Sequence, residues 1–338
     1  MAAALRLLAA FATLCGAAQC AQVDRQLMAM GTGLSLSVQA GDRAAALAAS
    51  ESVVRALEAA EDRLGTWRPG GELDRFNHAA LDQAFVLSPL LAHELGVASC
   101  WWRDTGGAFD PGIGALTAAW GLRCGGRLPA DNERLAALAC GGLAGLEMAA
   151  SRAWRRHAGL IIDEGGFGKG AGLDEALHAL AASAATAALI DLGGQLALYG
   201  EAGPTRIAVA DPRDRLRSVA AFVVDAGSVA TSGNSERGIE VQGARYGHVL
   251  DPHSGWPAPD FGSLTVWAAD PLDADCLSTG LFVMGPDQAL RWAEGRVGVE
   301  VLTVEVQGQS LRVRATPGIA ASLELLAPDI DQERKRQP

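Results

Sequence analysis

Leu160-Ile161-Ile162-Asp163-Glu164-Gly165-Gly166-Phe167-Gly168-Lys169-Gly170-Ala171-Gly172-Leu173-Asp174 is the stretch on which the fold reading turns. An apolar triplet, read as a short buried strand, runs into a loop with five glycines in ten residues, and an Ala-rich helix begins near Gly172. Glycines let a backbone approach a ligand closely, and the N–H groups at a helix N-terminus suit a phosphate. The loop is not a Walker loop: Asp163 stands five before Gly168, and Gly170 follows the Lys where Ser or Thr is needed. It is also a poor dinucleotide fingerprint, and taken alone it serves equally as a packing device.

Downstream of this loop the pattern is rich in strands, at about 187–199, 205–210, 219–225, 246–250 and 263–268, with two more near 296–306 and 310–315. A helix is expected over 274–283. Upstream, Leu34, Leu36 and Val38 alternate as in a strand, and Leu47, Val54, Leu57 and Leu64 recur at helical spacing. Further helical stretches cover 88–103 and, loosely, 133–148. Strands and helices mix without regular βαβ alternation, so the expected class is α+β, with mixed or antiparallel sheets and flanking helices. One domain is expected over 22–328, with sub-lobes at about 22–157 and 158–328, and a polar tail over 329–338.

The 338 residues carry a net charge of −11, which argues against a nucleic-acid binder. Apart from Lys169 and Lys335 every basic residue is Arg, so Lys169 is the one lysine of the body. A compact ammonium at one site, or a biased genome, explains that usage. Residues 1–21 read as a secretory signal: one Arg, an apolar run from Leu7 to Ala18, and small residues before Gln22. Ala17 and Gln19 do not suit lipidation of Cys20, so an exported chain without a lipid anchor is expected. Cys124 and Cys140 have the option of pairing in an oxidising compartment, and free thiols fit as well.

Three further segments carry chemistry. Asp275 and Thr279 are four apart on an expected helix, a partial oxygen shell for Mg²⁺ or an ordinary N-cap with a packed Thr. His248, before the Asp251-Pro252 turn, has the pKa range of a general base. His253 reads as a turn residue, and His78, His93, His157 and His178 as structural. Trp67, beside the loop Arg68-Pro69-Gly70-Gly71, is one of eight Trp and suits either ring stacking or a core.

The order of the segments says more than any one of them. Met30-Gly31-Thr32, Thr66-Trp67-Arg68-Pro69 through Phe76-Asn77, Thr105-Gly106-Gly107-Ala108-Phe109-Asp110-Pro111, the Asp163–Asp174 loop, Asp191-Leu192-Gly193-Gly194, Ala230-Thr231-Ser232-Gly233, His248 through Pro252 and Ala274-Asp275 through Thr279 follow one another. In that order the chain, from about 27 to 320, resembles the FAD:protein FMN transferase (ApbE-like) family. The resemblance implies a Mg²⁺-dependent enzyme that splits FAD and passes FMN to a Ser or Thr of an acceptor protein, releasing AMP. It implies a flavin site between two closely packed lobes. Asp275, Thr279 and the Gly168 carbonyl would hold Mg²⁺, and Lys169 and Asp174 would hold FAD. His248 would be the base, and Met30, Trp67, Glu72, Asp110 and Thr231 would complete the cofactor site. By the same resemblance the acceptor is a periplasmic domain of a membrane redox protein, with inner-membrane association left open. An FAD pyrophosphatase or a non-catalytic flavin-binding protein are the alternatives. The chain departs from the family at Gly65, Trp67, Gly112, Ala115, Glu164, Gly168 and Gln195, where Ser, Tyr, Thr, Pro, Leu, Ala and an acidic residue or Asn are usual.

Overall fold

The computed structural model describes residues 20–67, 69–234, 238–241, 243–327 and 330–332. The expected leader lies outside the described residues except for Cys20 and Ala21. A nine-stranded sheet forms the frame. Its strands are β1 (Ala21–Ala29), β2 (Thr32–Ala40), β3 (Ala185–Leu192), β4 (Gln195–Gly200), β5 (Gly227–Gly233), β6 (Gly262–Ala268), β7 (Val299–Gln307), β8 (Ser310–Ala315) and β9 (Ile330–Gln332). They lie side by side in chain order. Every neighbouring pair is antiparallel except β8–β9, which is parallel. The expected polar tail is thus in part an edge strand, since Ile330 packs on the sheet.

Each face of the sheet has its own cover, as strand alternation requires. Helices α1 (Arg43–Leu64), α2 (Pro89–Asp104), α3 (Gly168–Ala181) and α4 (Pro271–Met284) are the ones that position the site. Leu34, Leu36, Val38, Ala188, Ile190 and Leu192 meet α1 and α3 on one face. Leu264, Val266 and Val301 meet α4 on the same face. On the other, Leu196, Leu198, Val304 and Val313 pack on the hairpin Thr205–Asp211/Asp214–Val224.

The chain between α1 and α3 forms a smaller body around Phe76, Leu91, Leu95, Phe109 and Ile162, with a three-stranded sheet of its own. That body, rather than residues 22–157, is the second packed unit: β1 and β2 belong to the large sheet through the pairing Leu34↔Leu192 to Ala40↔Ala185. Leu272 and Cys276 of α4 close its core, so it is docked on the helix layer.

Two local expectations change for physical reasons. Leu160–Ile162 is not a sheet strand. Its backbone groups are taken elsewhere: Asn77 Nδ2 donates to the Ile162 carbonyl and Asn77 Oδ1 accepts from Ile162 N–H, both at 2.8 Å, and Gly114 N–H donates to the Ile161 carbonyl at 2.9 Å. The helical stretch over 133–148 ends at Cys140, and Leu146–Ala149 is a strand. Cys124 and Cys140 are free thiols in the structure. Among the described residues no helix is long and apolar enough to cross a membrane.

Arg63, in the last turn of α1, joins the three helices by donating to Glu94 of α2 (2.6 Å) and to Glu175 of α3. Burial, opposed by Arg63 and aided by the Glu175 charge, pushes the Glu94 carboxyl from 4.5 up to about 7. One guanidinium faces two carboxylates here. A raised carboxyl binds its proton more tightly in the folded chain. Its contribution is therefore complete below about pH 4.5 and is lost as pH rises through about 7. Denaturation midpoints from pH 4.5 to 7.5 should show wild type losing on the order of 1–3 kcal/mol relative to Glu94→Gln. Parallel curves for the two proteins would contradict this.

Candidate active site

The first turn of α3 lacks a side-chain cap of its own, because Phe167 stands at the N-cap. A carboxylate from another helix replaces it. Asp275 of α4 accepts from Gly170 N–H through Oδ2 (2.9 Å) and from Lys169 Nζ through Oδ1 (2.7 Å). Asp275 is only 2% exposed, whereas the Lys169 side chain is about a third exposed. A buried carboxylate is tolerated when charge-assisted hydrogen bonds satisfy it. The two helices approach so closely that a Cβ on Gly170 would lie 2.5 Å from the Pro271 carbonyl and 2.8 Å from Asp275 Cβ.

One turn on, half-buried Thr279 reaches the same loop. Its Oγ1 lies 3.4 Å from where a Gly166 Cβ would be, and Gly280 lets α4 ride against Phe109. The site therefore lies where the smaller body meets the helix layer. Asp275 and Thr279 turn one carboxylate and one hydroxyl from α4 toward the glycine loop. Such a hard-oxygen set fits a cation that keeps water and phosphate as its other ligands. Among the described residues no group of three or more His, Cys, Asp or Glu could hold a metal ion.

The backbone that leads to His248 is anchored on the end of β5. Ser232 Oγ and Ser278 Oγ of α4 share a hydrogen bond at 2.9 Å. Two residues later, Asn234 is 2% exposed and lies flat against Gly247, where a Cβ would be 2.2 Å from Asn234 Cγ. That contact holds the backbone just before half-buried His248. The following turn is built by Asp251, whose carboxylate accepts from His253 N–H (2.9 Å) and Ser254 Oγ (2.7 Å). The His253 ring also reaches the Gly106 carbonyl at 3.0 Å, a tie to the Thr105–Pro111 segment that sequence spacing does not reveal.

The remaining expected residues divide. Met30 closes the β1–β2 turn at φ 49°, with its N–H on Glu61 and its sulfur packed where only Gly172 leaves room. A non-glycine residue held in the left-handed region at a loop tip is a strained position that the Glu61 bond secures. Trp67 is 66% exposed, with the Arg123 guanidinium 4.8 Å from its ring centre. Glu72 is occupied elsewhere: it accepts from Ser88 N–H at 2.6 Å, ahead of α2. Asp110 braces a turn through Gly112 N–H (2.7 Å) and Leu143 N–H (2.9 Å), and burial pushes its carboxyl up. Asp174 sits farther along α3, near His178; its carboxyl is raised mainly by burial and also by the charge of Asp270. Thr231 bonds Thr265 across the β5–β6 pair at 2.9 Å. By alternation it points to the face opposite Ser232, so Ser232 rather than Thr231 presents its hydroxyl on the α4 side.

A model of the ApbE family matches residues 30–303. The chain belongs to that family. It is 29% identical over 300 residues to the FAD:protein FMN transferase of Klebsiella pneumoniae (strain 342), with 85% of each chain covered. To the FAD:protein FMN transferase of Vibrio cholerae serotype O1 it is 31% identical over 248 residues, 71% of this chain and 74% of the relative. The solved flavin transferase ApbE from Vibrio cholerae matches with a TM-score of 0.79 at 26% identity, covering 90% of this chain and 99% of that one. The ApbE protein of Thermotoga maritima matches with 0.81 at 25% identity, covering 89% and 99%. The α+β class read from the sequence is the class of these ApbE structures.

The Gly170 contact is open to test. Gly170→Ala forces α3 and α4 apart and should cost about 1–3 kcal/mol, read as a lower denaturant midpoint at unchanged m-value. Gly96→Ala, in α2 with nothing within 4 Å of the added Cβ, should be neutral or stabilising. Equal midpoints for the two variants would contradict the packing argument.

Proposed function

We propose that the chain is an FAD:protein FMN transferase, which cleaves the FAD pyrophosphate and attaches FMN through a phosphoester to a Ser or Thr of an acceptor protein, releasing AMP. The observation that carries this reading is the clasp of Asp275 on Lys169 Nζ and Gly170 N–H at the opening of α3. A helix N-terminus, an ammonium and a glycine-lined approach form a receptor for a dianionic pyrophosphate. The names of the relatives point to the same reaction class.

In this reading Lys169 neutralises charge on the pyrophosphate, and the N-terminus of α3 orients it. Mg²⁺, held by Asp275, Thr279 and the Gly168 carbonyl, would supply Lewis-acid stabilisation of the phosphate charge. His248 accepts the proton of the acceptor hydroxyl. The hydroxyl oxygen forms the new P–O bond to the FMN phosphorus, the P–O bond to AMP breaks, and AMP leaves. Ser232 holds the end of β5 to α4, and Asn234 holds the backbone just before His248. The apolar run over 7–18 supports export, and a periplasmic acceptor domain of a membrane redox protein is the proposed partner.

The test is AMP release and acceptor labelling with FAD and Mg²⁺ for two variants. Asp275→Ala should lower transfer by about a thousandfold or more, since it removes a metal ligand and uncaps α3. His248→Ala should slow transfer about 10²–10⁴-fold and leave the FAD dissociation constant within about threefold of wild type. Near-normal transfer by Asp275→Ala at saturating Mg²⁺ would sink the metal assignment. AMP release at full rate without an acceptor would make the chain a pyrophosphatase.

A further inference from the structure

Arg123 lies outside every segment discussed so far, yet its guanidinium meets two of them. It sits in a turn with Gly121, Gly125 and Gly126 at positive φ. That turn is pressed on the hairpin Gly238–Val241/Ala244–Gly247, which leads to His248: a Cβ on Gly126 would lie 2.2 Å from Ile239 Cγ2. From there the guanidinium spreads over the Trp67 segment and the glycine loop. Nη1 donates to the Thr66 carbonyl (3.0 Å), and Nη2 to Thr66 Oγ1 (2.6 Å) and Asp163 Oδ2 (2.9 Å). Glu164 Oε2 is 3.5 Å away. Thr66 in turn donates its N–H and hydroxyl to Glu164, whose Cβ lies 3.3 Å from where a Gly168 Cβ would be. The same guanidinium stacks over Trp67 at 4.8 Å from the ring centre.

A loop brace explains the polar contacts but not the ring. Trp67 is 66% exposed, and large aromatic side chains are normally covered. One face carries a cation, which fixes the ring plane and leaves the opposite face for a flat partner. Only a planar fork satisfies Thr66 O, Thr66 Oγ1 and Asp163 while lying flat on an indole; a Lys ammonium does not.

We propose that Arg123 is a positioning residue that sets FAD affinity, by holding Trp67 as a rigid platform on which one fused ring of the dinucleotide stacks beside the Lys169–Asp275 clasp. The proposal rests on the transferase reading for its substrate, and its test separates the two. Arg123 acts through Trp67 and takes no part in the bond changes at phosphorus, so its removal acts on KM rather than on kcat.

The experiment measures kcat and KM for FAD in wild type, Arg123→Ala, Arg123→Lys, Trp67→Ala and the Arg123→Ala/Trp67→Ala double variant, each first checked by thermal denaturation. Arg123→Ala should raise KM for FAD roughly tenfold with kcat within about threefold of wild type. Arg123→Lys should not restore it. In the Trp67→Ala background the Arg123→Ala change should add less than about twofold, because the two residues act as a unit. In parallel, FMN and AMP are titrated against the intrinsic Trp fluorescence of wild type and Arg123→Ala. Weaker binding of one of the two mononucleotides supports the platform and names the ring that stacks. An unchanged KM, full rescue by Lys, additive effects in the double variant, or equal loss of FMN and AMP would each overturn it. If wild type transfers no flavin, the transferase reading fails, and the titrations still decide whether Arg123 and Trp67 form a ring site.

Discussion

A single carboxylate, Asp275, holds the two helices of the site together. It is buried, it lies at the opening of α3, and it spends one oxygen on a backbone N–H and the other on the one lysine of the chain's body. The glycines around it follow from that contact. Gly170 brings α3 against the Pro271 carbonyl, and Gly166 and Gly280 bring the loop and α4 around Phe109. The same closeness that forbids side chains leaves backbone donors and one ammonium at a helix N-terminus, the chemistry that receives phosphate.

The large sheet makes this contact possible. Because its nine strands lie in chain order, the connections that leave it carry the working parts. The link between β2 and β3 holds α1, the smaller body, the glycine loop and α3. The link between β5 and β6 holds the hairpin and His248. The link between β6 and β7 holds α4. The Arg63–Glu94–Glu175 cluster ties the parts of the first link together, and Ser232–Ser278 ties α4 to β5. Function sits on loops and helix ends, while alternating strand residues carry the core.

Much of this was legible in the residues. Local pattern located β2, α1, α2, α4 and the β7–β8 hairpin, because each alternates or repeats at its own period. The ordered motifs identified the family. What local pattern could not supply was long-range competition for backbone groups. Leu160–Ile162 has a strand's composition, but Asn77, 85 residues away, takes its hydrogen bonds. Thr231 and Ser232 are equivalent by spacing, and only the sheet's pleat shows which faces α4. Glu72 and Asp110 sit in matching motifs, yet here they brace Ser88 and Leu143. Arg123 lies in no motif, so no sequence signal marked it. The expected lobe boundary at 157/158 follows a change of sequence texture, whereas the chain enters the large sheet, leaves it, and returns.

The central claim is that the clasp receives the pyrophosphate of FAD and delivers FMN to a protein hydroxyl. The most direct measurement is the intact mass and in-gel fluorescence of an acceptor domain after incubation with the chain from Gln22 onward, FAD and Mg²⁺, with AMP quantified in the same reaction. The account predicts a fluorescent acceptor heavier by one FMN phosphoester, with one AMP released per label. An unlabelled acceptor with FAD bound and left whole would contradict it.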